Sequence, residues 1–93
     1  MRLNASAGYT FKEVDTRYGR PKGTAFRAFK RLGGRLREGR DFHLLAAGAD
    51  AELIAALRSA GRVYSSTVNA VVLTESGYRL VRERIEGEAS EPV

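Results

Sequence analysis

Between residues 19 and 40 the chain reads GRPKGTAFRAFKRLGGRLREGR. Eight of its sixteen Lys and Arg residues fall there, namely Arg20, Lys22, Arg27, Lys30, Arg31, Arg35, Arg37 and Arg40, against one acid, Glu38. Guanidinium and ammonium groups at this density suit charge-assisted hydrogen bonding to phosphate oxygens and to base edges. A solvated charge run would have no need of Phe26 and Phe29. At 100° per residue from Pro21 onward, Ala25, Phe26, Ala28, Phe29 and Leu32 share one arc, and Gly23, Thr24, Arg27, Lys30 and Arg31 the opposite one. The spacing predicts a helix that begins at Pro21, a residue tolerated only in a first turn. It ends at Gly33-Gly34, with its rings in the core and its cations outward.

No other constellation carries chemistry. His43 is the only histidine and sits among apolar residues, which fits a structural role. Cysteine is absent, so a zinc site lacks its usual ligands. Ser65 and Ser66 have no local base. The segment GRPKGT has neither the spacing nor the preceding strand of a phosphate loop. Catalysis, a cofactor and a metal are all unexpected.

The length of 93 residues allows one domain with one modest core. Net charge is +5, unevenly spread. Residues 1–47 hold eleven basic against four acidic residues, a balance of +7, and residues 48–93 hold five against seven, a balance of −2. That asymmetry points to a surface that faces a polyanion. No apolar run approaches the roughly 18 residues of a membrane span, and MRLNASAGYT contains no leader-like apolar block. The expected location is cytoplasmic.

The elements that must position the basic run follow from capping and periodicity. Thr10 and Glu13 have capping-box spacing with Tyr9 and Val14 at staple positions. Phe11, Val14 and Tyr18 then form a stripe that Gly19 ends, a helix of two turns. A turn of three or four residues would join it to the basic helix, which makes a helix-turn-helix. Asp41–Ala46 reads as a strand. Asp50 is placed to cap a third helix that bears Leu53, Ile54 and Leu57 and closes at Gly61. RVYSSTVNAVVL reads as one or two strands, with a hairpin turning near Asn69. Thr74 caps a fourth helix that buries Tyr78, Val81 and Ile85. The tail EGEASEPV is small and acidic and reads as disordered. The expected fold is α+β: a small winged helix-turn-helix domain over residues 1–86 with about four helices and a short antiparallel sheet or hairpin wing, followed by a disordered acidic tail over 87–93.

In that fold the basic helix has two duties. Phe26, Phe29 and Leu32 pack inward, while Thr24, Arg27, Lys30 and Arg31 enter a major groove. Lys22 and Gly23 lie at its amino end, where base edges are usually met. Arg35, Arg37 and Arg40 meet phosphates. Arg62 and the run Tyr64 to Thr67 are equally open to phosphate contact and to a plain polar hairpin.

Three motifs occur in order: Gly19 to Thr24 (GRPKGT), Gly39 to Phe42 (GRDF) and Leu73 to Tyr78 (LTESGY). Spanning residues 9–82, they resemble the amino-terminal DNA-binding domains of phage antirepressors, the neighbourhood of the KilA-N, Bro-N and Rha-type modules. The resemblance implies a prophage or mobile-element origin, with double-stranded DNA as ligand. Antirepressors often continue into a second domain, so a free-standing module that regulates transcription or recombination is expected here. Dimerisation would double the base contacts, through the fourth helix or the strand AVVL. The alternative is a protein-interaction module that docks its basic face on an acidic partner, such as a phage or host repressor. An RNA ligand is disfavoured, because both phenylalanines near the cations are assigned to the core and leave no stacking platform.

Overall fold

The computed structural model describes residues 8–90, with the side chains of 8–87. Residues 1–7 and the end of the acidic tail, residues 91–93, lie outside the described residues. The chain forms strand β1 (Tyr9–Thr10), helices α1 (Phe11–Arg17) and α2 (Thr24–Leu32), a 3₁₀ turn at Gly33–Arg35, strand β2 (Phe42–Leu45), helix α3 (Ala51–Ser59), strand β3 (Ala70–Leu73) and helix α4 (Glu75–Ser90). It is an α+β fold of four helices on a three-stranded antiparallel sheet ordered β1-β3-β2.

Local chemistry explains most of these boundaries. The expected capping box starts α1: the Glu13 amide donates to Thr10 Oγ1 at 3.2 Å, and the Thr10 amide to Glu13 Oε1 at 2.9 Å. Helix α4 is capped as expected by Thr74, whose hydroxyl oxygen accepts from the Gly77 amide at 3.4 Å while its proton goes to the Arg40 carbonyl at 2.8 Å. Asp50 does not cap α3. Its carboxylate accepts from the Ala46 amide at 2.9 Å and closes the loop before the helix.

β3 is the central strand, and its run AVVL is apolar throughout because both of its faces are covered. Leu73, with Val71, packs against Val14, Ala25, Ala28, Leu32 and the α4 residues Tyr78, Val81 and Ile85. Ala70 and Val72 face the opposite way, onto Leu45, Val63 and the α3 residues Ile54 and Leu57. The sheet therefore separates a layer of α1, α2 and α4 from α3.

Several expectations are corrected. No hairpin turns at Asn69: β3 pairs with β2 across a 46–69 connection that carries α3. Residues 62–69 form turns and bends instead of strand. The Asn69 side chain accepts from the Ala47 amide at 2.9 Å, which brings the two ends of that connection together. β3 is flanked by β2 along its whole length and by β1 at Val72 and Leu73. The outer edge of β2 is blunted, since Glu38 Oε2 accepts from the Leu44 amide at 3.4 Å and the Gly39 amide turns back to the Phe42 carbonyl at 2.7 Å. Helix α4 also runs to Ser90, into the segment read as a disordered tail. No proline lies between Thr74 and Pro92 to stop it, and Gly87 is tolerated at modest cost.

The loop before β2 is tied to the start of α4 through a buried acid. The Asp41 carboxylate accepts from the Arg37 amide at 2.9 Å, from the Arg40 guanidinium at 2.9 Å and from the Ser76 hydroxyl at 2.6 Å. The Arg40 hydrogen bonds, with those from Ser76 and the Arg37 amide, outweigh burial and hold its pKa down at about 2. The Asp41 carbonyl accepts from Thr74 N–H at 2.9 Å. This crossing is so close that a Cβ on Gly77 would overlap the Asp41 carbonyl oxygen and lie 2.8 Å from its carbon.

Helix propensity alone would make Gly77→Ala stabilising by up to about 1 kcal/mol. The backbone contact reverses the sign. Gly77→Ala is expected to cost about 2 kcal/mol, which lowers the thermal midpoint by roughly 8–16 °C. Circular-dichroism melting of the variant against wild type checks both sign and size.

Candidate nucleic-acid interface

α2 begins three residues later than its sequence suggests. Pro21, Lys22 and Gly23 belong to a six-residue connection, residues 18–23, that is longer than the expected turn. The cause is Gly23, which serves as N-cap at φ +93° with no side chain to offer the helix. The missing cap comes from α1. Asp15, 1% exposed, accepts from the Gly23 amide at 3.1 Å and from the Ala25 amide at 2.7 Å. A carboxylate there satisfies two otherwise orphaned amides and complements the positive end of the helix dipole. Its own carbonyl accepts from the Arg20 amide at 2.8 Å and so fixes the turn between the helices.

The 62–69 loop joins the same carboxylate. Tyr64 donates its hydroxyl to Asp15 Oδ2 at 2.5 Å. Burial, then the hydrogen bond to Asp15 and its charge, push the Tyr64 pKa up to about 12. Lys22 lies over the Tyr64 ring at 5.0 Å and donates to Ser66 Oγ at 3.0 Å. Tyr64 and Ser66 thus brace the helix–helix connection.

The outward side of α2 is open. Thr24 follows the Gly23 cap, and its hydroxyl donates to the Pro21 carbonyl at 2.8 Å. Arg27 lies one turn on, 3.5 Å from Thr24 Oγ1, and its guanidinium folds over Gly23. Lys30 and Arg31 continue the exposed side. Lys22, Gly23, Thr24 and Arg27 therefore converge on the amino end of the helix. Among the described residues, no carboxylate pairs with Arg20, Lys22, Arg27, Lys30, Arg35 or Arg37.

Other sequence candidates stand apart. Arg35 is in the 3₁₀ turn beyond the carboxyl end of α2, near Leu80 and Glu83 of α4. Arg40 is committed to Asp41, although its side chain is 61% exposed. Arg62 has a structural role. Its guanidinium is held by Glu13 at 2.9 Å and by the Gly8 carbonyl at 2.8 Å, and its own carbonyl accepts from the Thr10 hydroxyl.

The phenylalanines do not share one fate. Phe29 is half-buried between Phe11 at 5.2 Å and Phe42 at 4.9 Å. Phe26, assigned to the core from the helical wheel, is 48% exposed. Its ring meets Phe11 edge-on at 5.8 Å and carries Lys30 Nζ 5.8 Å from its centroid. It borders a groove of about 420 Å³ between α1, α2, the far end of β2–β3 and the 62–69 loop. Leu44, 50% exposed, lines the same groove, and Lys12 and Lys22 stand at it too.

Sequence reasoning missed Asp15, Tyr64 and Phe26. Asp15 had one visible signal: a helix preceded by glycine lacks its own cap, and an acid in the last turn of the helix before it is positioned to supply one. Tyr64 had none, because 49 residues separate it from Asp15. No helix among the described residues is long and apolar enough to cross a membrane. No family model, curated protein or solved structure matches the chain.

Asp15→Ala removes the cap of α2 and the partner of Tyr64 together, and should cost about 3 kcal/mol of stability in urea unfolding. The pH dependence has a fixed sign. Because the folded Tyr64 pKa lies above its ordinary 10, its contribution is complete below pH 10 and is lost as pH rises towards 12. The stability difference between wild type and Tyr64→Phe should therefore shrink over that interval, as measured by urea midpoints at each pH.

Proposed function

We propose that this protein is a winged helix-turn-helix module that binds double-stranded DNA in a sequence-specific way, with the outward side of α2 in the major groove. The observation that carries this reading is that Arg27 and Lys30 on α2, with Arg20 and Lys22 beside it, face no carboxylate among the described residues, on a helix whose amino end is clamped by Asp15. A base-reading helix must keep its donors unpaired and its axis fixed, because both desolvation and reorientation would weaken discrimination. The connectivity supports the same reading. β1 precedes the helix pair and lies beside β3, and β3 returns antiparallel to β2 after it, so β2 and β3 stand where a wing would. In this module the wing connection is enlarged by α3.

The roles then divide. Arg27, Lys30 and Thr24 face base edges, with Lys22 and Arg31 beside them, while Arg20, Arg35 and Arg37 meet phosphates. Gly23 acts through its backbone conformation, and Arg40 is the weakest member because Asp41 shares its charge. The resemblance of GRPKGT, GRDF and LTESGY to phage antirepressor amino-terminal domains makes regulation of transcription or recombination in a mobile element the favoured setting, in the cytoplasm. Two copies on a two-fold site would double the contacts of so short a helix.

Selection of bound duplexes from a random pool, followed by polarisation titration, tests the reading. A protein that neutralises four to six phosphates should lose affinity with a slope of about −4 to −5 in log K against log salt. Arg27→Ala should bind cognate and non-cognate duplexes with similar affinity, whereas Arg37→Ala should weaken both alike. No duplex binding at low salt would sink the proposal, and half-site spacing in the recovered sequences would report pairing.

A further inference from the structure

The half-exposed ring of Phe26 is not explained by the core. It is the third residue of α2, one position from Arg27 and one turn from Lys30. It is held in place, with Phe11 against its edge and the Lys30 ammonium over its face. The groove beside it is largely apolar, and no carboxylate lines it. The ring is therefore a fixed apolar contact beside Arg27 and Lys30, which face no carboxylate among the described residues, at the helix end that carries Thr24 and Arg27.

Duplex DNA offers one apolar group in its major groove, the 5-methyl of thymine, and phenylalanine is among the side chains that contact it. We propose that Phe26 reads a thymine methyl, so that the protein selects an A·T pair beside the pairs met by Arg27. This rests on the DNA-binding reading above and adds a specificity-determining residue to it. The flanking cations would meet phosphates and polar base edges, which leaves the ring to supply the one contact they cannot make. A partner protein that covered Phe26 in place of DNA would leave duplex binding indifferent to the ring.

The probe is the tightest duplex recovered from the random pool, with each thymine replaced in turn by deoxyuridine, which removes only the methyl. At one position per half-site the replacement should weaken wild-type binding about fourfold, the worth of one buried methyl. Phe26→Ala and Phe26→Gln, each verified as folded by circular dichroism, should bind the thymine duplex correspondingly less well. Neither should lose anything further with deoxyuridine at that position. A wild-type protein indifferent to every replacement overturns the proposal without recourse to any variant. So does a recovered consensus without an A·T pair, or a Phe26 variant that keeps the full fourfold sensitivity. Failure to bind any duplex would instead refute the DNA-binding reading, and the two failures are distinct.

Discussion

A single buried carboxylate holds the helix pair together. Asp15 sits in α1, yet its oxygens are spent on the first amides of α2 and on the hydroxyl of a tyrosine from a distant loop. An uncompensated carboxylate in such a position would be strongly unfavourable, so all of its partners are needed at once. That requirement sets the geometry around it. Gly23 must turn into the left-handed region to aim its amide at Asp15, and α2 must start at Thr24. The 62–69 segment must lie across the connection and cannot extend as a strand. The direction of α2 is thus set by a charge-assisted contact, while Ala25, Ala28 and Leu32 supply its burial.

The same physics sorts the arginines. Arg62 and Arg40 face Glu13 and Asp41, and those pairs hold β1 to the 62–69 loop and the β2 approach to α4. Arg27, Lys30 and Arg37 face no carboxylate among the described residues, and their charge is left to act on what approaches from outside. A count of positive residues cannot make this distinction. What matters is whether a carboxylate is brought within reach, and both acids concerned are buried or half-buried by the fold.

The sheet shows how a small chain covers a central strand. β3 is apolar on both faces, and α3, carried in the 46–69 connection, covers the face that α2 and α4 do not. That connection adds a second cluster of buried side chains and leaves the far end of β2 close to the groove beside Phe26. The close approach of Gly77 to Asp41 then locks α4 against the loop that leads into β2.

Much of this was legible in the sequence. The Thr10–Glu13 box, the stripe of Tyr78, Val81 and Ile85 and the four helices follow from short-range rules, because their partners lie within a few positions along the chain. The concentration of cations around α2 was equally plain. What only the tertiary structure decided were relations between distant residues: Asp15 with Tyr64, Asp41 with Ser76, Glu13 with Arg62, and β2 with β3 across the connection that carries α3. Phe26 is the sharpest case. A helical wheel gives its angle on α2, but exposure depends on where the neighbouring elements end, and no periodicity in a sequence encodes that.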